Sequence, residues 1–415
     1  MSGAQINRVI IVGAGQAGGE TAQRLRAGGF QGEITVFGEE PFPPYQRPPL
    51  SKKYLAGEWE EDRLFLKPAH VYAEENITLV LNRRVVWIDR TAKRARLEGG
   101  QEVPYDALVL ATGARARPLP IAGADLPGVH TLRTAGDVDA IKPRFKAGAK
   151  AVIIGAGYIG LETAAVARQL GLEVTVVEAA VRPLARVTSP EMAGFFLDAH
   201  AAQGVRFALS MQCAHIKGQS AVSAVQLADG AALEADIVIA GIGVTPETGL
   251  AERAGLEVNN GIVVDRGMRT ADPSVFAIGD CCARPLVHYG DRRGRLESVH
   301  NAIEGAKIVA AAILAQPAPK EEAPWFWSDQ YDLKLQIAGL FNGYDRIVQR
   351  GDMAQRKFAL FYFQGPRLLA VDAVNSPGEY LGAKLMLQEG KSPDPAQLQD
   401  QSIPMKEIAA AARSH

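Results

Sequence analysis

The feature that most constrains this chain is a repeat. RVIIVGAGQAGGETAQRLRAGGFQGEITVFGEE begins at Arg8, and KAVIIGAGYIGLETAAVARQLGLEVTVVEAA begins at Lys150, about 142 positions later. Each copy reads as a short apolar strand, a glycine turn, a helix with apolar residues at helical spacing, a glycine-bearing loop and a β-branched strand ending in an acid. Parallel strands joined by a helix form one βαβ unit, so its double use predicts a doubly wound sheet in each copy. Each copy also has its own closing strand: YDALVLATG follows the first and ADIVIAGIGVTPET the second.

Within these units the glycines have both spacing and context. Gly13, Gly15 and Gly18 follow VIIV and open a helix, as Gly155, Gly157 and Gly160 do after AVII. The first glycine of such a set allows the tight turn, the second lets the backbone approach a pyrophosphate, and the third brings helix and strand close. The helix N-terminus supplies free N–H groups and the positive end of a dipole. Ala14 and Ala17 complete the first candidate cofactor loop, and Tyr158 and Ile159 the second.

Glu39, 26 positions after Gly13, and Glu178, 23 after Gly155, end the second strands. An acid at that place accepts hydrogen bonds from an adenosine ribose and repels a 2′-phosphate, so the second loop is expected to prefer NADH to NADPH. Arg182 and Arg186 lie close by in the sequence and weaken that inference, because arginine pairs with a 2′-phosphate.

Two nucleotide sites in one chain imply electrons passing between two cofactors, and segments outside the repeat indicate a flavin at the first. YQRPPLSKKYLAG puts Arg47 and Lys52 in a proline-stiffened loop after the first unit, where either suits pairing with a flavin pyrophosphate or lying against the isoalloxazine. A cation such as Lys52 near the N1/C2 edge of the ring stabilises the charge acquired on reduction. A solvated lysine beside a turn is the plainer alternative. Ala111, Thr112 and Gly113, and likewise Gly279 and Asp280, end apolar strands, where small residues let a cofactor lie against the backbone and Asp280 is available to ribityl hydroxyls.

Composition narrows the class further. A chain of 415 residues exceeds one ordinary core. Apolar residues make up 47% and charged residues 22%, a globular profile, and the net charge of −1 favours no nucleic acid partner. No run of 18 apolar residues predicts a membrane span, and the start, MSGAQINRVIIVGAGQ, passes directly into the glycine motif, so a cytoplasmic protein is expected. Cys213, Cys281 and Cys282 form no CxxC, which argues against a disulfide framework and a structural metal site. They also leave the redox-active pair of a disulfide-reducing flavin enzyme without a place, since a vicinal Cys281–Cys282 disulfide strains the intervening peptide.

Beyond Pro324, WFWSDQYDLKLQIAGL and RKFALFYFQGPRLLAVDAV show strand alternation without a phosphate loop, after an Ala/Pro/Lys/Glu linker at 316–323. The expected fold class is therefore α/β, two Rossmann-like doubly wound domains in a glutathione-reductase-like arrangement plus a C-terminal α+β domain with an antiparallel sheet. The expected boundaries are 1–118 with 245–323 for FAD, 119–244 for NADH, and 324–415 for the last domain.

With GAGQAGGE, PPYQRPPLSKKYLAG, LVLATGARARPLP, IIGAGYIGLETAA, IVIAGIGVTPE, DPSVFAIGDCC, LESVHNAIEGAK and APWFWSDQYDLKLQIAGL, the sequence resembles the NADH-dependent ferredoxin reductases of bacterial oxygenase systems over nearly its whole length. That resemblance implies FAD held by the first glycine loop, Glu39, Arg47, Lys52, Val85, Arg133, Asp280 and the Glu297–Ser298–Val299 stretch. It implies NADH held by Gly155 to Gly160, Glu178, Arg186, Gly241 and Gly243, with Glu162 facing the nicotinamide and pairing with Lys52 as the catalytic pair.

Trp327 would lie near the flavin on the face offered to an iron–sulfur partner, a core tryptophan being the plainer reading. The implied acceptor is a [2Fe–2S] ferredoxin that supplies a cytochrome monooxygenase or dioxygenase, and the implied state is a monomer or weak dimer. Arg292, Arg293 and Arg295 are either a docking patch for such an acidic partner or a solvated loop. His300 in ESVHNA departs from the family's pattern where the loop meets the flavin ring. The rival readings are an FAD/NADH-dependent disulfide or peroxide reductase and an apoptosis-inducing-factor-like protein.

Overall fold

A computed structural model describes residues 6–414. Its contacts divide the chain into two units, each assembled from separated segments: 6–47, Glu61–Arg115 and Thr245–Glu322 in the first; Pro48–Glu60, Ala116–Val244 and 323–414 in the second.

The first unit is built on a five-stranded parallel sheet in the order Val275–Ala277, Ala107–Leu110, Arg8–Val12, Glu33–Phe37, Ile77–Val80. Its strands are runs of Val, Ile and Leu rather than alternating patterns, because a parallel sheet is covered on both faces. Val9, Ile10, Ile11, Ile34, Val36, Leu108 and Val109 are accordingly buried. Helices Gln16–Ala27 and Val299–Ile313 pack against each other, and their inward residues Ala22, Leu25, Ala302 and Val309 join the same core. The segment between the repeats supplies a small antiparallel sheet, Val85–Asp89, Arg94–Leu97 and Glu102–Pro104.

In the second unit the same design recurs in the order Arg206–Leu209, Glu173–Glu178, Lys150–Ile154, Ile237–Ala240, Val129–Thr131. A second small sheet, Cys213–Gly218, Val222–Leu227 and Ala232–Glu234, is attached to it. The C-terminal part is a five-stranded antiparallel sheet ordered Trp325–Gln330, Leu333–Gly339, Arg367–Val374, Lys357–Gln364, Arg346–Asp352, against which helix Pro377–Gln388 packs. The fold class is the one expected: two doubly wound α/β sheets and an antiparallel α+β part.

Although Pro48–Glu60 directly follows the first βαβ copy, its contacts are with the second unit. Tyr54 donates its hydroxyl to Asp139 at 2.8 Å and carries the Lys142 ammonium over its ring, which fixes this segment. Among the described residues no helix is long and apolar enough to cross a membrane.

Two candidate dinucleotide sites

In each glycine loop the three glycines do three different things. Gly13 and Gly155 sit at φ +115° and +103°, and a Cβ on either would meet the carbonyl oxygen of Ala111 at 2.1 Å or of Gly241 at 2.5 Å. The first glycine of each set is thus fixed by the end of its own closing strand. A Cβ on Gly18 would lie 1.9 Å from the Gly13 carbonyl oxygen, and one on Gly160 2.1 Å from that of Gly155, so the third glycine presses helix onto turn.

Gly15 and Gly157 differ from both, since nothing lies within 4 Å of a Cβ at either. They are also the N-caps of helices Gln16–Ala27 and Tyr158–Gln169, which have neither a side-chain cap nor an acid in the first turn. Backbone donors that a Ser or Asp would ordinarily satisfy are left facing open space, the arrangement that seats a phosphate. Both loops therefore fit the pyrophosphate of a dinucleotide.

The first loop gathers several of its predicted companions. Ala111, Thr112 and Gly113 follow the closing strand, and Gly279 comes over the loop so closely that its Cβ would touch that of Ala17 at 3.2 Å. Burial opposes the Arg47 charge, but Tyr45, Glu40 and Asp280 around it raise its pKa, which brings two predicted residues, Arg47 and Asp280, into one electrostatic neighbourhood. Glu40, which sequence reasoning passed over, accepts from Arg47 at 2.8 Å and from the Tyr45 hydroxyl at 2.7 Å. Glu39 pairs instead with Arg115 at 3.0 Å and is 51% exposed at its side chain.

The remaining predicted residues of that set have diverse settings. Ser298 caps helix Val299–Ile313 by accepting from the Asn301 N–H at 3.0 Å, and Glu297 pairs with Arg295 at 2.6 Å. Val85 is buried in the core of the first unit. Arg133 and Lys52 belong to the second unit, where Arg133 precedes the capping box Thr134–Asp137 and donates its backbone N–H to Asp137.

At the second loop Glu178 turns back toward the glycines, accepting from the N–H groups of Ala156 at 2.7 Å and Ala180 at 2.8 Å. The two nearby arginines separate. Arg182 donates to the carbonyls of Ala185, Thr188 and Ser189, so it clips its own loop together, whereas the Arg186 guanidinium lies 3.6 Å from the place of a Cβ on Gly243.

Glu162, on the helix behind the loop, is 2% exposed and receives Lys52 Nζ at 2.6 Å. The hydroxyls of Ser51 and, at 2.6 Å, Ser328 also donate to it, and neither serine was evident from the glycine motifs. The signal for Ser328 was the strand WFWSDQ, where a hydroxyl and an amide share the buried face with Phe326. Tyr158 stacks on Phe326 at 4.9 Å; burial, then Asp372 and Glu162, push its phenol well up. Ile159 is exposed at the rim, and Trp327 is half-buried against Trp325, with ring centroids 5.7 Å apart.

The thiols and the basic run have structural roles. Cys281 donates to the Leu110 and Ile278 carbonyls and Cys282 to that of Gly279; burial pushes both up, and all three cysteines are free. Arg293 donates to the carbonyls of Val264 and Ala283, and Arg295 to that of Asp280. Arg292, Arg293 and Arg295 consequently do not form one free basic patch: two of them stitch the backbone of their own neighbourhood.

Residues 7–306 match the family model described as pyridine nucleotide-disulphide oxidoreductase, and residues 325–409 that described as reductase C-terminal. The chain is 45% identical over 401 residues to rhodocoxin reductase of Rhodococcus erythropolis, covering 96% of this chain and 93% of that protein. It is 44% identical over 414 residues to putidaredoxin reductase CamA of Pseudomonas putida, covering 98% of each. The crystal structure of the covalent putidaredoxin reductase–putidaredoxin complex superposes with a TM-score of 0.96 at 43% identity, covering 99% of each chain. The chain belongs to the pyridine nucleotide-disulphide oxidoreductase family, whose cofactors are FAD and NAD(H). In this chain the adjacent Cys281 and Cys282 are free and buried.

Proposed function

We propose that this protein is an NADH-dependent ferredoxin reductase that passes electrons through FAD to a [2Fe–2S] ferredoxin serving a monooxygenase or dioxygenase system, and that it works in the cytoplasm as a monomer or weak dimer. The carrying observation is the pair of uncapped glycine turns at Gly15 and Gly157, each open where a pyrophosphate would lie. Segments 1–118 and 245–323 would hold FAD, 119–244 NADH, and 324–415 would form the C-terminal domain.

When bound, FAD would supply the chemistry of accepting a hydride and releasing electrons one at a time. The chain's own task is alignment and electrostatic tuning. The loop Gly13 to Gly18 would seat one pyrophosphate on the N–H groups at the start of helix Gln16–Ala27, with Glu39, Arg47, Asp280 and the Ser298 helix start oriented to the rest of FAD. The loop Gly155 to Gly160 would seat NADH on the N–H groups at the start of helix Tyr158–Gln169, with Glu178 taking the ribose hydroxyls and Arg182 tied up in its own loop. Lys52 would set the charge beside the flavin, and Glu162 would hold Lys52 in place.

The decisive experiment is stopped-flow mixing of the yellow protein with NADH, followed by mixing with a candidate [2Fe–2S] ferredoxin. Rapid bleaching of the flavin by NADH and reoxidation by the ferredoxin are expected. Reoxidation by a disulfide or peroxide at catalytic rates, with none by any ferredoxin tried, would overturn the proposal.

A further inference from the structure

Behind Glu162 runs a line of polar side chains that no glycine motif explains. Ser328 donates to Glu162 Oε1 at 2.6 Å, and Gln330 Nε2 donates to the Ser328 hydroxyl at 3.1 Å. Gln330 Oε1 lies 2.7 Å from His200 Nε2, and the Tyr331 hydroxyl lies 3.2 Å from His200 Nδ1. Glu162, Ser328, Gln330 and His200 are all buried.

Chemistry admits one hydrogen-bond direction along this line. An ionised carboxylate only accepts, so Ser328 must donate to it and must itself accept from the Gln330 amide nitrogen. The Gln330 oxygen then requires a proton on His200 Nε2, which leaves Nδ1 of the neutral ring to accept from Tyr331. Every N–H or O–H in the series thus points toward Glu162. A primary amide in the middle makes the line a poor proton conductor. It is suited to orientation, with each dipole aligned by the next.

We propose that Ser328, Gln330 and His200 are positioning residues that aim Glu162 and spread its charge away from Lys52. The inference rests on the reading that Lys52 and Glu162 act at the flavin and nicotinamide. The charged and titratable groups facing Glu162 are Lys52 from the loop after Pro48–Ser51 and Tyr158 from its own helix, with Asp372 acting on Tyr158 and His200 with Tyr331 closing the far end.

Loss of the Ser328 donor concentrates the carboxylate's charge on Lys52, whose cation then stabilises less of the negative charge arriving on reduction. The midpoint potential of the bound FAD should fall in Ser328→Ala, whereas Glu162→Gln, which removes the counter-charge, should raise it. Hydride transfer from NADH should slow about tenfold in Ser328→Ala and about threefold in Gln330→Met and His200→Phe, with the NADH dissociation constant within about twofold of wild type. Ser328→Thr, which keeps the hydroxyl, should restore both potential and rate.

Unchanged potentials in Ser328→Ala and Gln330→Met, beside a shifted Glu162→Gln, would overturn the positioning chain alone. An unshifted Glu162→Gln would overturn the reading of the Lys52–Glu162 pair, and the chain with it. Should His200→Phe fail to fold, the two strand variants decide the matter.

Discussion

Glu178 has two tasks at the level of the single residue, because it accepts from the Ala156 and Ala180 N–H groups while ending its strand. Glu178→Ala removes a brace of the glycine turn and, on the proposed function, an acid that would repel a 2′-phosphate. Its kcat/KM for NADH should drop about tenfold or more, and the ratio of NADH to NADPH efficiency should move toward NADPH. Steady-state rates with both nucleotides check this. Arg182→Ala, by contrast, should lower the melting temperature without moving the ratio, since its guanidinium already serves three backbone carbonyls.

For the elements, the two glycine loops give a sharper contrast. Gly15→Ala adds a methyl where nothing lies within 4 Å, so the protein should fold but retain little FAD. Gly18→Ala drives the same methyl to 1.9 Å from a backbone oxygen, so helix and turn must part, at a cost of about 1–3 kcal/mol. Flavin content and melting temperature, measured on both variants, separate the two effects. These roles were legible from sequence, because spacing and strand context determine which glycine touches what, and the parallel sheets followed from the same repeat.

What lay beyond reach depended on the chain returning to the same place from afar. Ser51, Glu162, Ser328 and His200 lie on four separated segments, and no local pattern links a loop serine, a helix glutamate, a strand serine and a helix histidine. The basic run shows the converse case. Three arginines in four residues read equally as a docking patch or a solvated loop, and the fold brings carbonyls within reach of two of them.

Over the whole molecule, pH reaches stability through two buried groups of the second unit. Burial lowers the His200 pKa to about 4, the Gln330 hydrogen bond only partly opposing it. Burial raises the Asp372 pKa to about 6, against the hydroxyls of Thr188 and Tyr362 that donate to it. In the unfolded chain the histidine binds its proton at about 6.5 and the aspartate at 3.8.

Between about pH 4 and 6 the unfolded state therefore binds the histidine proton that the folded state refuses, and stability from His200 falls as pH falls. Over the same interval the folded state holds an aspartate proton that the unfolded state has lost, so stability from Asp372 falls as pH rises. The two slopes oppose each other. Asp372→Asn should raise the melting temperature near pH 7, by an amount equivalent to about 3 kcal/mol, with the gain vanishing toward pH 4. His200→Phe should leave a melting temperature that declines from pH 4 to 6, and thermal scans across that range would reveal either slope.

The segmental makeup of the two units also orders events at the ribosome. The five strands of the second parallel sheet have all been made once Ala240 is added, but the first sheet lacks its edge strand until Ala277. The glycine loop translated first must wait for a strand made after the other loop's sheet is complete, so the later-made nucleotide site is the earlier one able to close.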